Sequence, residues 1–198
     1  MSSTTEPLRT AVLPRQRRDL TGFDFVALDV ETWNGRTGSV CAVGLAVVRG
    51  GVVVDEYEAL CHPAAELGEA DYAHMAVNHL QLGDIYHAQP FTDLLETVSA
   101  FVGDLPVVAH RAPLDALHLA RACEVAGVEA PAWEWHCTEA IARKALDLTS
   151  WALPDVAAAL SLPRFSLHQS GAEARSTAAV LLGLAEQTGA VRLGHLPR

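Results

Sequence analysis

Apolar positions fall into short, dense runs near the start of the chain. FDFVALDV, beginning at Phe23, is rich in β-branched and aromatic residues and predicts a strand. SVCAVGLAVV and VVVDEYEAL flank the turn Arg49-Gly50-Gly51 and read as an antiparallel pair. Residues 61–90 hold no sustained period and read as loops with short helical pieces. Beyond them the period lengthens. FTDLLETVSAFV has helical spacing and stops at Gly103, LPVVAH is a short buried strand, and PLDALHLARACEVAG is a helix with Pro113 at its start and Gly127 at its stop. WEWHC reads as a fifth strand and TEAIARKAL and LPDVAAAL as helices. SGAEARSTAAVLLGLAEQTG is a last helix, closed by Gly189. This order predicts an α/β fold: a mixed five-stranded sheet, with three antiparallel strands first, flanked by helices.

Residues 1–20 are polar, carry Pro7 and Pro14 and show no period, so a flexible N-terminal tail is expected. Its Arg15, Arg17 and Arg18 are open to a partner or nucleic acid, with a solvated tail as the default. Residues 191–198 are expected as a C-terminal tail, leaving residues 21–190 as one domain.

Half of the 198 residues are hydrophobic and 19% are charged, which suffices for a real core. Against 14 Lys and Arg stand 24 Asp and Glu, a net charge of −10. That excludes a basic coat held to nucleic acid by bulk charge and predicts weak, salt-sensitive non-specific DNA affinity. It suits a carboxylate cluster that recruits cations. No apolar run approaches the roughly 20 residues of a membrane span, and the N-terminus lacks a signal-type apolar segment. Cys41, Cys61, Cys123 and Cys137 form no C-x-x-C pair and fit reduced core positions in a cytoplasmic protein.

Acid-x-acid occurs three times: Asp29/Glu31, Glu56/Glu58 and Glu69/Asp71. The last two lie in polar surroundings and read as solvated faces. Asp29 and Glu31 end an otherwise apolar strand and point to one side, where two carboxylates repel unless a cation sits between them. A strand end that runs out into solvent is the alternative. Asp115 opens a helix after a second apolar strand, where it also complements the helix dipole. His168 precedes the last helix, in which Ser170-Gly171-Ala172-Glu173 fits a capping box; capping and metal binding are both open for Glu173.

Three segments together resemble the DEDD 3′–5′ exonucleases of the ribonuclease H-like fold. The resemblance is to their DnaQ-like (DEDDh) type, which includes the proofreading subunit of bacterial DNA polymerase III. FVALDVETWNGRTGSVCAVGLAVVRGG is similar to the first motif, D-x-E-T followed by S-x-x-x-x-G. VVAHRAPLD is similar to A-H-N-A-x-F-D, and LHQSGAEARSTAAVLL to H-x-x-x-x-D-A. The resemblance implies an exonuclease domain over residues 21–190 that releases nucleoside monophosphates from DNA 3′ ends, single-stranded ones first. Asp29, Glu31, Asp115 and Glu173 would hold two divalent cations, Mg²⁺ or Mn²⁺, with His168 as general base. Implied partners are a nucleic-acid 3′ end and a polymerase or repair protein. The alternatives are a 3′–5′ exoribonuclease, or an impaired nuclease-fold module that binds nucleic-acid ends or a polymerase.

The chain departs from the pattern at several positions. Glu173 stands for an aspartate and reaches about 1.5 Å further. Arg111 and Leu114 replace an asparagine and a phenylalanine, Pro113 is added, and Val77-Asn78-His79-Leu80 stands for V-H-G-I. Thr32, Trp33, Arg111 and His79 are the expected substrate contacts: Trp33 by stacking on the terminal base or by covering the strand end, Arg111 by reaching a phosphate.

Overall fold

A computed structural model describes residues 19–197. The expected tail, residues 1–20 with Arg15, Arg17 and Arg18, lies almost wholly outside the described residues. Three strands open the fold: β1 (Phe25–Thr32), β2 (Val40–Arg49) and β3 (Val52–His62), each antiparallel to the one before. Gly50 and Gly51 both take positive φ, 56° and 75°, the backbone that a two-residue hairpin turn demands. Two short helices follow, α1 (Tyr72–Asn78) and α2 (Leu82–Tyr86), then β4 (Gln89–Pro90) and α3 (Phe91–Val102). Next come β5 (Val107–Ala109), α4 (Ala112–Ala126) and β6 (Trp135–Cys137). α5 (Thr138–Ala145), α6 (Leu153–Ala159) and α7 (Ser170–Thr188) close the chain.

The sheet order is β4-β3-β2-β1-β5-β6, six strands where the sequence predicts five. The extra strand is two residues pairing with Cys61 and His62, too short to carry any alternation. β5 and β6 run parallel to β1, so the sheet is mixed, as expected.

Alternation along β1 sorts its side chains between two cores. Val26 and Leu28 pack with Leu94, Val98 and Leu119 of α3 and α4. Phe25 and Ala27 pack with Val156, Leu181 and Leu184 of α6 and α7. Asp29 and Glu31 continue the Phe25–Ala27 row, so they face α7. Residues 191–198, expected as a tail, behave otherwise up to Pro197: Leu196 is only 5% exposed and belongs to the α7-side core. No helix among the described residues is long and apolar enough to cross a membrane.

Candidate active site

β1 and β5 are parallel neighbours, and their carboxyl ends open on the same edge of the sheet. Crevices beyond the strand ends are where open α/β sheets bind ligands. β1 delivers Asp29 and Glu31 to that edge, and a register shift between Glu31 and Thr32 re-aims the strand end. β5 feeds α4 through Arg111, and Asp115 lies in the first turn of that helix.

The third contribution depends on Gly44. In register, Asp29 pairs with Gly44 and Gly44 with Glu58. A Cβ on Gly44 would overlap the carbonyl carbon and oxygen of Ser170. The missing side chain lets the first turn of α7 rest directly on β2, which brings His168 and Glu173 beside the β1 carboxylates. One ligand-type atom from each of Glu31, His168 and Glu173 lies within 4.8 Å of the others. This glycine is the last residue of the S-x-x-x-x-G motif that begins at Ser39.

Electrostatics marks the cluster as strained. Glu31 is 9% exposed and Asp115 8%. Burial, then the Glu173 and Asp115 charges, push the Glu31 carboxyl up to about 8. Burial first, with Glu173 adding, raises Asp115 to about 7, against backbone N–H groups of Asp115 and Val30 that favour its charge. Asp29 is raised well above the carboxylate range, first by burial and then by Asp115, Glu173, Glu31 and Glu58. None of the ion pairs among the described residues includes Asp29, Glu31, Asp115 or Glu173. Buried carboxylates facing one another without a cationic side chain have the chemistry of a divalent-cation site. A cleft of about 490 Å³ opens beside them, bordered by Glu31, Glu58, Asn78, His79 and His168.

Glu173 lies where both readings stay open. Its Oε1 accepts the backbone N–H of His168 at 2.6 Å, while its carboxylate faces Glu31. The cap differs in detail from the expected box: Gln169 is the N-cap residue and Ser170 is already helical.

Four non-glycine residues among those described adopt left-handed backbone, and three of them are His79, Arg111 and His168. Such conformations cost of order 1–3 kcal/mol each and collect at functional sites. Arg111 holds the place where the resemblance expects asparagine, a residue that tolerates this backbone best. Its guanidinium is 59% exposed and pairs with Glu139 at 3.1 Å. His79, the C-cap of α1, borders the cleft where a glycine is expected.

Thr32 lies at the edge of the cluster. Its hydroxyl and His74 Nε2 are 2.8 Å apart, and its carbonyl accepts from Asn78 Nδ2 at 2.9 Å. Trp33 corrects the stacking expectation. At 2% exposure it packs among Cys41, Met75 and Ile85 and edge-on to His62 and Tyr86, with no ring face open to a base.

Glu56 and Glu58 are exposed, as a solvated face requires, but both are engaged there. Glu58 Oε1 accepts from the Ser170 hydroxyl at 2.9 Å and the Gly171 N–H at 3.0 Å, and Glu56 forms an ion pair with Arg175. Asn78 and Glu58 are thus neighbours of the site that sequence reasoning passed over. The available signal for Glu58 was its spacing, because the strand period turns Glu56 and Glu58 to one face. His110 is structural. Its Nε2–H donates to the Trp151 carbonyl at 2.8 Å, and Nδ1 lies 2.8 Å from the Thr138 hydroxyl.

No family model matches the chain. A PolC-type DNA polymerase III of Thermotoga maritima is 29% identical over 167 residues, a match covering 82% of this chain and 12% of the polymerase. The chain thus spans about an eighth of that relative's length. Among solved structures, Exonuclease X in complex with 5′-overhanging duplex DNA superposes with a TM-score of 0.68 at 20% identity, over 83% of this chain and 93% of that one. The nuclease domain of 3′hExo, a DEDDh family member bound to rAMP, gives 0.67 at 9% identity, over 89% and 96%. The expected ribonuclease H-like fold of the DEDDh exonucleases is therefore the fold of this chain.

Proposed function

We propose that this chain, built on the DEDDh exonuclease fold, is a metal-dependent 3′–5′ exonuclease that releases nucleoside monophosphates from DNA ends, with residues 21–190 forming the body of the catalytic domain. One observation carries the reading. Asp29, Glu31, Asp115 and Glu173, from three separate stretches of chain, converge with His168 at the carboxyl ends of β1 and β5, and among the described residues none of them forms an ion pair with a cationic side chain. The similarity to the PolC-type polymerase and to solved exonucleases supports it.

Asp29, Glu31, Asp115 and Glu173 would hold two divalent cations, Mg²⁺ or Mn²⁺, since an all-carboxylate donor set suits hard ions. Bound there, such ions supply a nucleophilic water at neutral pH and stabilise the leaving 3′ oxygen. His168 would receive the proton of the attacking water, with a ring nitrogen within 4.8 Å of carboxylate oxygens of Glu31 and Glu173. Glu173, tied to the His168 N–H, fixes the base and the ligand relative to each other. Asn78 and His74 hold the carbonyl and hydroxyl of Thr32, which keeps the strand end rigid beside the incoming 3′ end. His79 and Arg111 border the strand path as phosphate and sugar contacts.

An impaired binding module is the less favoured reading, because Glu173 faces Glu31 as well as its own helix start. The deciding assay is a 5′-labelled oligonucleotide incubated with Mg²⁺ or Mn²⁺, in deoxyribo and ribo forms. Stepwise shortening of the deoxyribo strand that stops when the cation is chelated is expected. Faster shortening of the ribo strand would transfer the reading to an exoribonuclease, and no shortening of either would refute it.

A further inference from the structure

Glu58 lies on β3, two strands away from Asp29, yet both flank the same object. The row Glu58–Gly44–Asp29 runs across three strands with its side chains on one face. Gly44, in the middle, contributes no side chain, and the first turn of α7 fills the space. The helix start is therefore seated between two carboxylates. Asp29, on the inner side, faces Glu173. Glu58, on the outer side, accepts the Ser170 hydroxyl and the Gly171 N–H with a single oxygen, at 2.9 and 3.0 Å.

The N-cap residue of α7, Gln169, makes no side-chain capping bond, and Glu173 reaches back only to the N–H of His168, outside the helix. The first N–H groups of a helix need acceptors, and a carboxylate also complements the positive end of the helix dipole. Gly171 permits this approach: a Cβ there would come within 3.1 Å of Glu58 Oε2. His168 lies two residues before Ser170 and Glu173 two residues after Gly171, so both flank the bonded pair within one helical turn. Their position relative to Glu31 follows from where this turn is held.

We propose that Glu58 is a positioning residue: it caps α7 from the neighbouring strand and so sets the placement of His168 and Glu173 against Asp29 and Glu31. This rests on the exonuclease reading of that site. Glu58 acts chiefly through two hydrogen bonds that an amide oxygen can also accept, with its charge on the helix dipole a smaller contribution.

The test compares full-length wild type, Glu58→Gln and Glu58→Ala. It follows degradation of a 5′-labelled oligodeoxynucleotide with Mn²⁺, Mn²⁺ affinity by electron paramagnetic resonance, and amide exchange at Ser170 and Gly171. Glu58→Ala is expected to lower kcat about tenfold or more with KM nearly unchanged, because a small displacement of reacting groups is costly. Mn²⁺ binding weakens in parallel and amide exchange quickens. Glu58→Gln restores most of all three. Ser170→Ala, which removes one of the two bonds, gives an intermediate loss and serves if Glu58→Ala does not fold.

Equal damage in Glu58→Gln and Glu58→Ala would overturn the proposal in favour of a charge effect. A rise in KM alone would make Glu58 a substrate contact, and a fall in thermal stability with unchanged kcat and Mn²⁺ affinity would make it merely structural. Should wild type itself be inactive, the exonuclease reading fails first. Mn²⁺ affinity and amide exchange then decide on Glu58, and no change in either overturns the positioning role.

Discussion

Two acid-x-acid pairs lie on one face of the sheet with the same spacing and opposite surroundings. Asp29 and Glu31 stand on the central strand, beneath α7 and beside α4, and burial together with neighbouring carboxylates raises their pKa values. Glu56 and Glu58 stand on β3 near the sheet edge. There the side chain of Arg175 holds Glu56 below its ordinary value, and the start of α7 supplies donors to Glu58. Spacing determines only which way the side chains point. What they meet determines whether a doublet is a cluster of buried, mutually repelling carboxylates or a satisfied surface. Burial and repulsion make the charged forms of the inner pair costly within the fold alone, and carboxyls perturbed in this way collect at functional sites.

The largest effect expected from breaking this contrast is on the inner pair. Asp29→Asn keeps the shape and removes one ligand charge, so transition-state stabilisation worth several kcal/mol is lost, about 10³-fold in kcat/KM. The same change relieves repulsion in the cation-free protein. Its melting temperature at pH 8 should therefore hold or rise, measured by circular dichroism. A variant that loses both activity and stability would show that Asp29 is needed for folding, and the contrast between the doublets would lose its meaning.

Cations and pH sharpen the comparison next. A carboxyl whose folded pKa is raised favours the folded state when protonated. That contribution is full below the ordinary value near 4 and is lost as pH rises through the folded value. For Asp115 and Glu31 the loss runs through about 7 and about 8. His110 opposes this: burial lowers its pKa, so its contribution is present above about 6.5 and lost as pH falls through its folded value. The difference between melts with and without Mn²⁺ isolates the carboxylates. At pH 8.5 and about 100 times the dissociation constant, stabilisation of roughly 2.7 kcal/mol corresponds to a rise of about 5 °C or more. At pH 5.5 protons occupy the site and the rise should nearly vanish. A cation effect independent of pH would mean that the ions bind elsewhere.

The parts legible in the sequence are those governed by local rules. The three opening strands, α4 between Pro113 and Gly127, and α7 ending at Gly189 follow from alternation, helical spacing and capping. Asp29 and Glu31 show in the chain because carboxylates that end an apolar strand violate the pattern around them, whereas Asp115, His168 and Glu173 have ordinary local readings and stand out only through the motifs of the resemblance. Of the two readings open for Trp33, covering and stacking, the sequence could not choose, because its packing partners Met75 and Ile85 come from the stretch with least periodicity. Glu58 was passed over because its partners lie 112 and 113 residues away, where no local rule reaches. β4 and the burial of Leu196 share that cause: each depends on a surface that exists only once the rest has folded.

The smallest expected effect belongs to the outermost contact of the outer pair. Arg175 pairs with Glu56 across an exposed surface, with 60% and 38% of the two side chains accessible. Such a pair gains little Coulomb energy in water and gives up side-chain freedom, so Arg175→Ala should cost no more than about 1 kcal/mol, or about 3 °C in melting temperature. Raising NaCl to about 0.5 M should erase the difference, since screening then acts over only a few ångströms. Glu56 is lowered from 4.5, so the pair's contribution is present above that pH and lost as pH falls through the folded value. Exonuclease rate should stay within about twofold, because an exposed ion pair of this worth cannot shift the helix start that Glu58 and Gly44 already seat. A loss of rate in Arg175→Ala matching that of Glu58→Ala would mean that α7 is positioned by charge along its first two turns. The outer doublet would then belong to the site as fully as the inner one.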